Sequence, residues 1–159
     1  MLKLKKYTSK NSPYQLHIEI LSNVECTNNF EQGQRERIFI KDICKRVLKS
    51  STVLYVLRNK EKTLGFIALS VNSIDSLPSL QVDYLFVSNP YRGVLLEELK
   101  NTKTSIYLIE FAIEIAKEIQ DKVGLRSLVL LPDSQRLEKI YKDIGFQKFS
   151  KKDWMFFKL

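Results

Sequence analysis

Thr102, Lys103, Thr104 and Ser105 stand ahead of a segment in which Leu108, Ile109, Ala112, Ile115, Ala116 and Ile119 recur at helical spacing. A helix start of this kind has free backbone N–H groups in its first turn and the positive end of the helix dipole. A phosphate placed there is bound by the backbone itself, with hydroxyls and the Lys103 ammonium adding to it. Upstream, the strand-forming run Leu80-Gln-Val-Asp-Tyr-Leu-Phe-Val87 stops at Asn89-Pro90 and is followed by Tyr91, Arg92 and Gly93. Taken singly, these residues have structural uses: Arg92 and Lys103 as surface charges, Gly93 as a turn residue, Thr102 or Thr104 as a helix N-cap. Between a strand and a helix in this order, Arg92, Gly93, Lys103, Thr104 and Ser105 together form a phosphate-side set. Asp83 in the strand and Glu25 further upstream are candidate general bases, Asp83 also reading as a solvated or paired strand carboxylate.

These residues have to be held by the elements around them. Lys3 to Thr8 reads as an edge strand whose lysines discourage further pairing. Tyr14, Leu16, Ile18 and Ile20 alternate with Gln15, His17 and Glu19, the period-two pattern of a half-buried strand, which puts His17 on a polar face as an ordinary surface imidazole. Gln34 to Lys49 reads as a helix with Phe39, Ile40, Ile43, Cys44, Val47 and Leu48 at helical spacing and Arg35, Lys41, Lys45 and Lys49 crowding the other side. Thr52 to Arg58 and Thr63 to Val71 form a hairpin over Asn59–Lys62, and Gly65 marks a bulge or a close backbone contact. A loop is expected over Ser73 to Ser79, then the strand to Val87, an irregular stretch from Val94 to Asn101, and the helix to Val123-Gly124. Leu95, Leu96 and Leu99 leave open a short helical turn within that stretch. Ser127 to Leu131 follows as a buried parallel strand. A helix capped by Asp133 or Ser134 carries Leu137, Ile140, Tyr141 and Ile144 on one face and ends at Gly145. Phe146–Phe149 and Trp154–Leu159 close the chain as a hairpin. The order predicts an α/β chain with a central mixed sheet.

A chain of 159 residues that is 44% hydrophobic is long enough for one domain, residues 1–159, with a proper core. There is no apolar run of spanning length and no signal-peptide layout, so a soluble cytoplasmic protein is expected. Cys26 and Cys44 lack Cys-x-x-Cys spacing, and a single histidine does not complete an ordinary zinc set; no metal is expected. The formal net charge of +8 gathers on Lys3, Lys5, Lys6 and Lys10, on the first long helix, and on Lys148, Lys151, Lys152 and Lys158. Such a balance attracts polyanions, though lysines also simply solvate surfaces.

Pro90-Tyr91-Arg92-Gly93, the order of elements and Tyr141-Lys-Asp-Ile-Gly145-Phe146 together resemble the GNAT family of N-acetyltransferases over nearly the whole chain. The resemblance implies a GNAT-like acyl-CoA N-acyltransferase fold: a mixed, mostly antiparallel sheet with a splayed parallel pair, flanked by helices. It implies acetyl-CoA as the acetyl donor and a primary amine as the acceptor. The Phe86 and Val87 backbone would then hold the pantetheine arm where the strands part. Tyr141, in a Tyr-x-x-x-Gly-Phe pattern, would act as general acid toward the leaving thiolate, its phenol staying protonated at neutral pH; the other use of Tyr141 is to fill the core beside Leu137 and Ile144. The family's glycine-rich loop is here replaced by Val94 to Asn101 as an insertion, with Thr102 to Ser105 in its place. Phe30 to Ile40, Gly65 to Ser70 and the basic charge are similar to the toxin-like branch that acetylates aminoacyl-tRNA, which implies an antitoxin protein as partner. A homodimer is a further expectation. The alternative to an enzyme is a GNAT-like domain that serves as a nucleic-acid or protein binding module.

Overall fold

The computed structural model describes residues 1–150 and 153–159; Lys151 and Lys152, two of the C-terminal lysines, lie outside the described residues. In chain order the elements are β1 (Leu2–Tyr7), α1 (Leu16–Ser22), α2 (Phe30–Leu48), β2 (Val53–Asn59), β3 (Lys62–Ile74), β4 (Leu77–Val87), β5 (Leu95–Leu96), β6 (Thr102–Lys103), α3 (Thr104–Val123), β7 (Ser127–Leu130), α4 (Gln135–Ile144), β8 (Gln147–Lys148) and β9 (Met155–Lys158), with 3-10 turns at Asn89–Tyr91 and Glu97–Leu99. Seven strands form one sheet in the order β1-β2-β3-β4-β7-β9-β8, and β5 and β6 form a separate two-stranded pair. Strands β1–β2, β7–β9 and β8–β9 pair antiparallel, while β4 and β7 run parallel. This is the mixed sheet that the order of elements predicts. No helix among the described residues is long and apolar enough to cross a membrane.

Two compact units divide the chain. The first comprises Met1–Ala68 and Asp83–Glu110, the second Leu69–Val82 and Phe111–Leu159. In the first unit, α1 and α2 contribute Leu16, Ile20, Ile40, Ile43, Cys44 and Val47 to a core shared with Leu54, Val56, Phe66, Ala68 and Phe86 of the strands. The Tyr14–Ile20 segment is therefore a helix at its C-terminal end and not the expected strand. Leu16 and Ile20, four apart, are buried, while Ile18 between them is 52% exposed. Positions two apart in a strand can equally be opposite faces of a helix, and here the four-residue repeat decided. Helix α2 starts at Phe30, ahead of the expected Gln34, because the Asn29 side chain accepts the Gln32 N–H at 3.0 Å as an N-cap.

The expected loop over Ser73 to Ser79 is also corrected. Strand β3 runs to Ile74 and β4 starts at Leu77, joined by Asp75 and Ser76, both at positive φ (51° and 65°). Two left-handed central residues make the primed turn that matches strand twist, and aspartate is among the residues that tolerate it. Gly65 marks the close contact expected of it. A Cβ at that position would lie 2.4 Å from the Phe86 carbonyl oxygen, 3.2 Å from the Val87 Cα and 3.2 Å from Thr104 Cγ2. Gly65→Ala is expected to force apart the end of β4 and the start of α3, costing about 2 kcal/mol as an overpacked site. A thermal melt should then show a midpoint lower by about 4 to 8 °C; an unchanged midpoint would mean that the backbone yields freely there.

In the second unit, β7 is buried at all four positions and carries β4 on one side and β9 on the other. Gly124 ends α3 in the left-handed region (φ 79°), and Ser134 caps α4 by accepting the Leu137 N–H at 3.2 Å. Both ends are as expected from the residues. Strands β8 and β9 form the closing hairpin, on which the Phe149 and Phe156 rings meet at a tilt, 4.7 Å apart.

Candidate active site

The ladder between β4 and β7 covers only Ser79–Gln81 against Ser127–Val129. Strand β4 continues for six further residues to Val87, while β7 ends one residue later, at Leu130, with Pro132 just beyond. The parallel pair is therefore joined at its start and not along Val82–Val87, the stretch that carries Phe86 and Val87. A proline close after β7 donates no ladder hydrogen bond.

The tip of β4 is fixed from within the first unit. Ser88 donates its N–H to Leu64 O at 2.9 Å, and its hydroxyl accepts the Glu25 N–H at 2.8 Å. Asn89 N–H in turn donates to Glu25 O at 2.8 Å. Glu25 is thus placed beside the strand tip by its backbone, with its side chain exposed. Arg92 has a different task from the phosphate contact expected of it. Its Nε donates to Val87 O at 2.7 Å, and its two terminal nitrogens grip both Glu36 oxygens at 3.1 and 2.9 Å. Its guanidinium also lies over the Phe86 ring at 5.2 Å. Burial pushes the Glu36 carboxyl up, but the hydrogen bonds from Arg92 and from the Thr27 N–H together outweigh it and hold it below the ordinary glutamate range. The pair clamps α2 and the loop before it onto the end of β4. Glu36 escaped the residue-level reading although it was legible: it falls in the buried stripe Gly33, Glu36, Ile40, Ile43 of an otherwise basic helix.

Asp83 faces inward with a fully buried side chain. It accepts the Thr52 hydroxyl at 2.7 Å and pairs with Arg46 at 3.4 Å. A carboxylate so engaged is suited to tying α2 and β2 to β4, and not to collecting a substrate proton.

The phosphate-side residues are rearranged in one respect. Thr102 and Lys103 form β6, with Lys103 opposite Leu95 of β5, and the helix begins at Thr104. The Val94–Asn101 stretch is not irregular throughout. It holds β5 and the 3-10 turn Glu97–Leu99, which buries Leu99, and it turns back through Lys100 and Asn101 at positive φ. Gly93 also lies in the left-handed region (φ 70°), where glycine is unstrained. At the helix start Thr104 is 1% exposed, and its hydroxyl has no hydrogen-bond partner among the described residues. A buried hydroxyl without a partner costs about 1 to 3 kcal/mol. Its position in the first turn of α3, among backbone N–H groups also unpaired within the helix, suits an anionic oxygen acceptor.

Tyr141 belongs to the second unit. It is 6% exposed and packs on Phe146 at 5.8 Å, which meets Phe157 at 5.4 Å. Gly145 (φ 127°) lets the chain turn so that the Phe146 N–H returns to Tyr141 O at 3.0 Å. Burial, with the Asp133 charge adding to it, pushes the phenol up to about 12. The phenol therefore stays protonated across the whole physiological range.

No family model and no curated protein matches this sequence. Solved structures match the chain's fold. The AtaT toxin, as a tyrosine-to-phenylalanine mutant bound to the C-terminus of the antitoxin AtaR, superposes with a TM-score of 0.75 at 15% identity, over 99% of this chain and 92% of that one. AtaT complexed with acetyl-methionyl-tRNAfMet gives 0.73 at 14% identity, over 99% and 95%. The AtaT–AtaR complex bound with acetyl-CoA gives 0.72 at 16% identity, over 99% and 92%. The chain has the fold of these proteins.

Proposed function

We propose that this chain is an acetyl-CoA-dependent N-acetyltransferase whose acceptor is the α-amino group of an aminoacyl-tRNA, and that it is the toxin of a toxin–antitoxin pair. The observation that carries the reading is the first unit's pairing of a strand tip outside the parallel ladder with a helix start bearing the orphaned Thr104 hydroxyl. That this fold also belongs to a toxin bound with acetyl-CoA and to its complex with an acetylated aminoacyl-tRNA supports it.

The residues present fit the donor. The first turn of α3 with Thr104 and Ser105 would hold the diphosphate, Lys103 would add its charge, and the Phe86–Val87 backbone would hold the pantetheine arm. Bound there, acetyl-CoA supplies an acyl carbon activated as a thioester. Arg92 and Glu36 act as positioning residues, since they fix Val87 O and hence the strand tip. Tyr141, on the second unit, would be the proton donor for a leaving thiolate. A phenol at about 12 gives up its proton reluctantly to a thiolate of ordinary basicity, near 8.5, so hydrogen-bond stabilisation contributes first and the proton follows. The acceptor needs no dedicated base. An α-amino group with a pKa near 7.7 to 8.0 is partly neutral already, and Asp83 is engaged elsewhere. Both substrates are cytoplasmic, and we place the protein there.

Incubation with radiolabelled acetyl-CoA and aminoacyl-tRNA tests this reading. Label should appear on the amino acid released by mild base, and none should appear on uncharged tRNA. Label on protein lysines or small amines alone would contradict the assigned acceptor.

A further inference from the structure

Helix α2 and its C-cap residue present to solvent a row of four cations, Arg37, Lys41, Lys45 and the capping Lys49, each four residues from the next and all exposed. On a helix this spacing places them about 6 Å apart along one side, away from the buried stripe of Ile40, Ile43 and Val47. Among the described residues none of the four is in an ion pair. Asp42, three residues before Lys45, lies on the same side of the helix, and no ion pair joins the two among the described residues. Like charges at this spacing repel one another and weaken the helix, so the row is a cost to the fold that an external anion removes. The row does not end in open surface. At its N-terminal end Arg37 lines a cleft of about 460 Å³, and Phe30, 77% exposed, lines the same cleft.

We infer that this row is the track for the backbone of the RNA that carries the acceptor, with Phe30 and Arg37 receiving an unpaired base at the cleft. The inference rests on the proposed function for the identity of the acceptor, and on α2 alone for its place. Evenly repeated single charges fit the repeated phosphates of a nucleic-acid strand, and an exposed ring lining the same cleft as a guanidinium offers a base a stacking surface. An acidic protein segment would use the charges and leave the ring without a task.

The test uses a fluorescent RNA hairpin with a single-stranded 3′ tail, titrated by anisotropy at several salt concentrations into the wild-type chain, into Lys41→Gln/Lys45→Gln/Lys49→Gln and into Phe30→Ala. The triple variant should bind about tenfold or more weakly and show a salt slope lowered by about two, since each lost phosphate contact removes about 0.7 to 0.9. Phe30→Ala should lose affinity for the tailed hairpin and not for a blunt one. Acetyl-CoA affinity, measured in parallel, should be unchanged in both. If the triple variant keeps affinity and slope, or if polyglutamate binds the wild type while RNA does not, the inference is overturned with the acetyltransferase reading intact. If RNA binding follows the prediction and acetyl-CoA does not bind, the acetyltransferase reading fails and the track stands.

Discussion

Tyr141→Phe is expected to lower turnover by about 10²- to 10⁴-fold, the usual loss when a positioned proton donor is removed, with little change in acetyl-CoA affinity. The ring packing on Phe146 survives the substitution, because only the oxygen is lost. Stability should therefore move by no more than about 1 kcal/mol. A role confined to the core predicts the reverse pattern, with turnover kept. Steady-state rates at saturating acetyl-CoA, beside a denaturant titration, separate the two. The phenol value of about 12 adds a second check: the wild-type rate should show no alkaline loss from this group up to pH 10.

Arg92→Ala is expected to destabilise the first unit by about 3 kcal/mol, because it leaves the Glu36 carboxylate buried without its partner. The lower end of the range for buried pairs applies, since the Arg92 side chain is 30% exposed against 11% for Glu36. The pH dependence has a defined sign. Glu36 titrates below its ordinary value of 4.5 in the folded wild type, so the pair's contribution is fully present above that value and fades as pH falls through the lowered one. In the variant the burial that pushes Glu36 up acts unopposed by Arg92, and protonation relieves it. The stability gap between wild type and variant should therefore narrow as pH falls below 4.5. Urea unfolding of both proteins from pH 7 down into the acid range measures it; a gap constant with pH would show that Arg92 acts through packing on Phe86 alone.

Much of the architecture could be read from periodicity. The apolar repeat of α3, the hairpin of β2 and β3 around Lys60-Glu61, the Ser134 cap and the Gly124 and Gly145 stops each follow from local chemistry, and each is where it was expected. The misreadings have a common cause, which is that local patterns with two solutions were decided by packing. Tyr14 to Ile20 alternates like a strand, yet the core received Leu16 and Ile20 from one helix face. Asp75-Ser76 makes a tight hairpin without glycine, so the turn was hidden in a polar stretch. Thr102 and Lys103 went to β6 because Leu95 and Leu96 offered a partner strand. At the site, residue types near the strand tip marked the right region, whereas the engagement of Arg92 with Glu36 depends on a contact across 56 positions of sequence that no local pattern records.

The central claim, that the α3 start and the β4 tip hold acetyl-CoA, is tested most directly by calorimetric titration of the wild-type chain with that molecule alone. A saturable isotherm with one site per chain is the predicted result, with coenzyme A competing for it. No heat at millimolar concentrations would contradict the account and leave a binding module on an acetyltransferase fold.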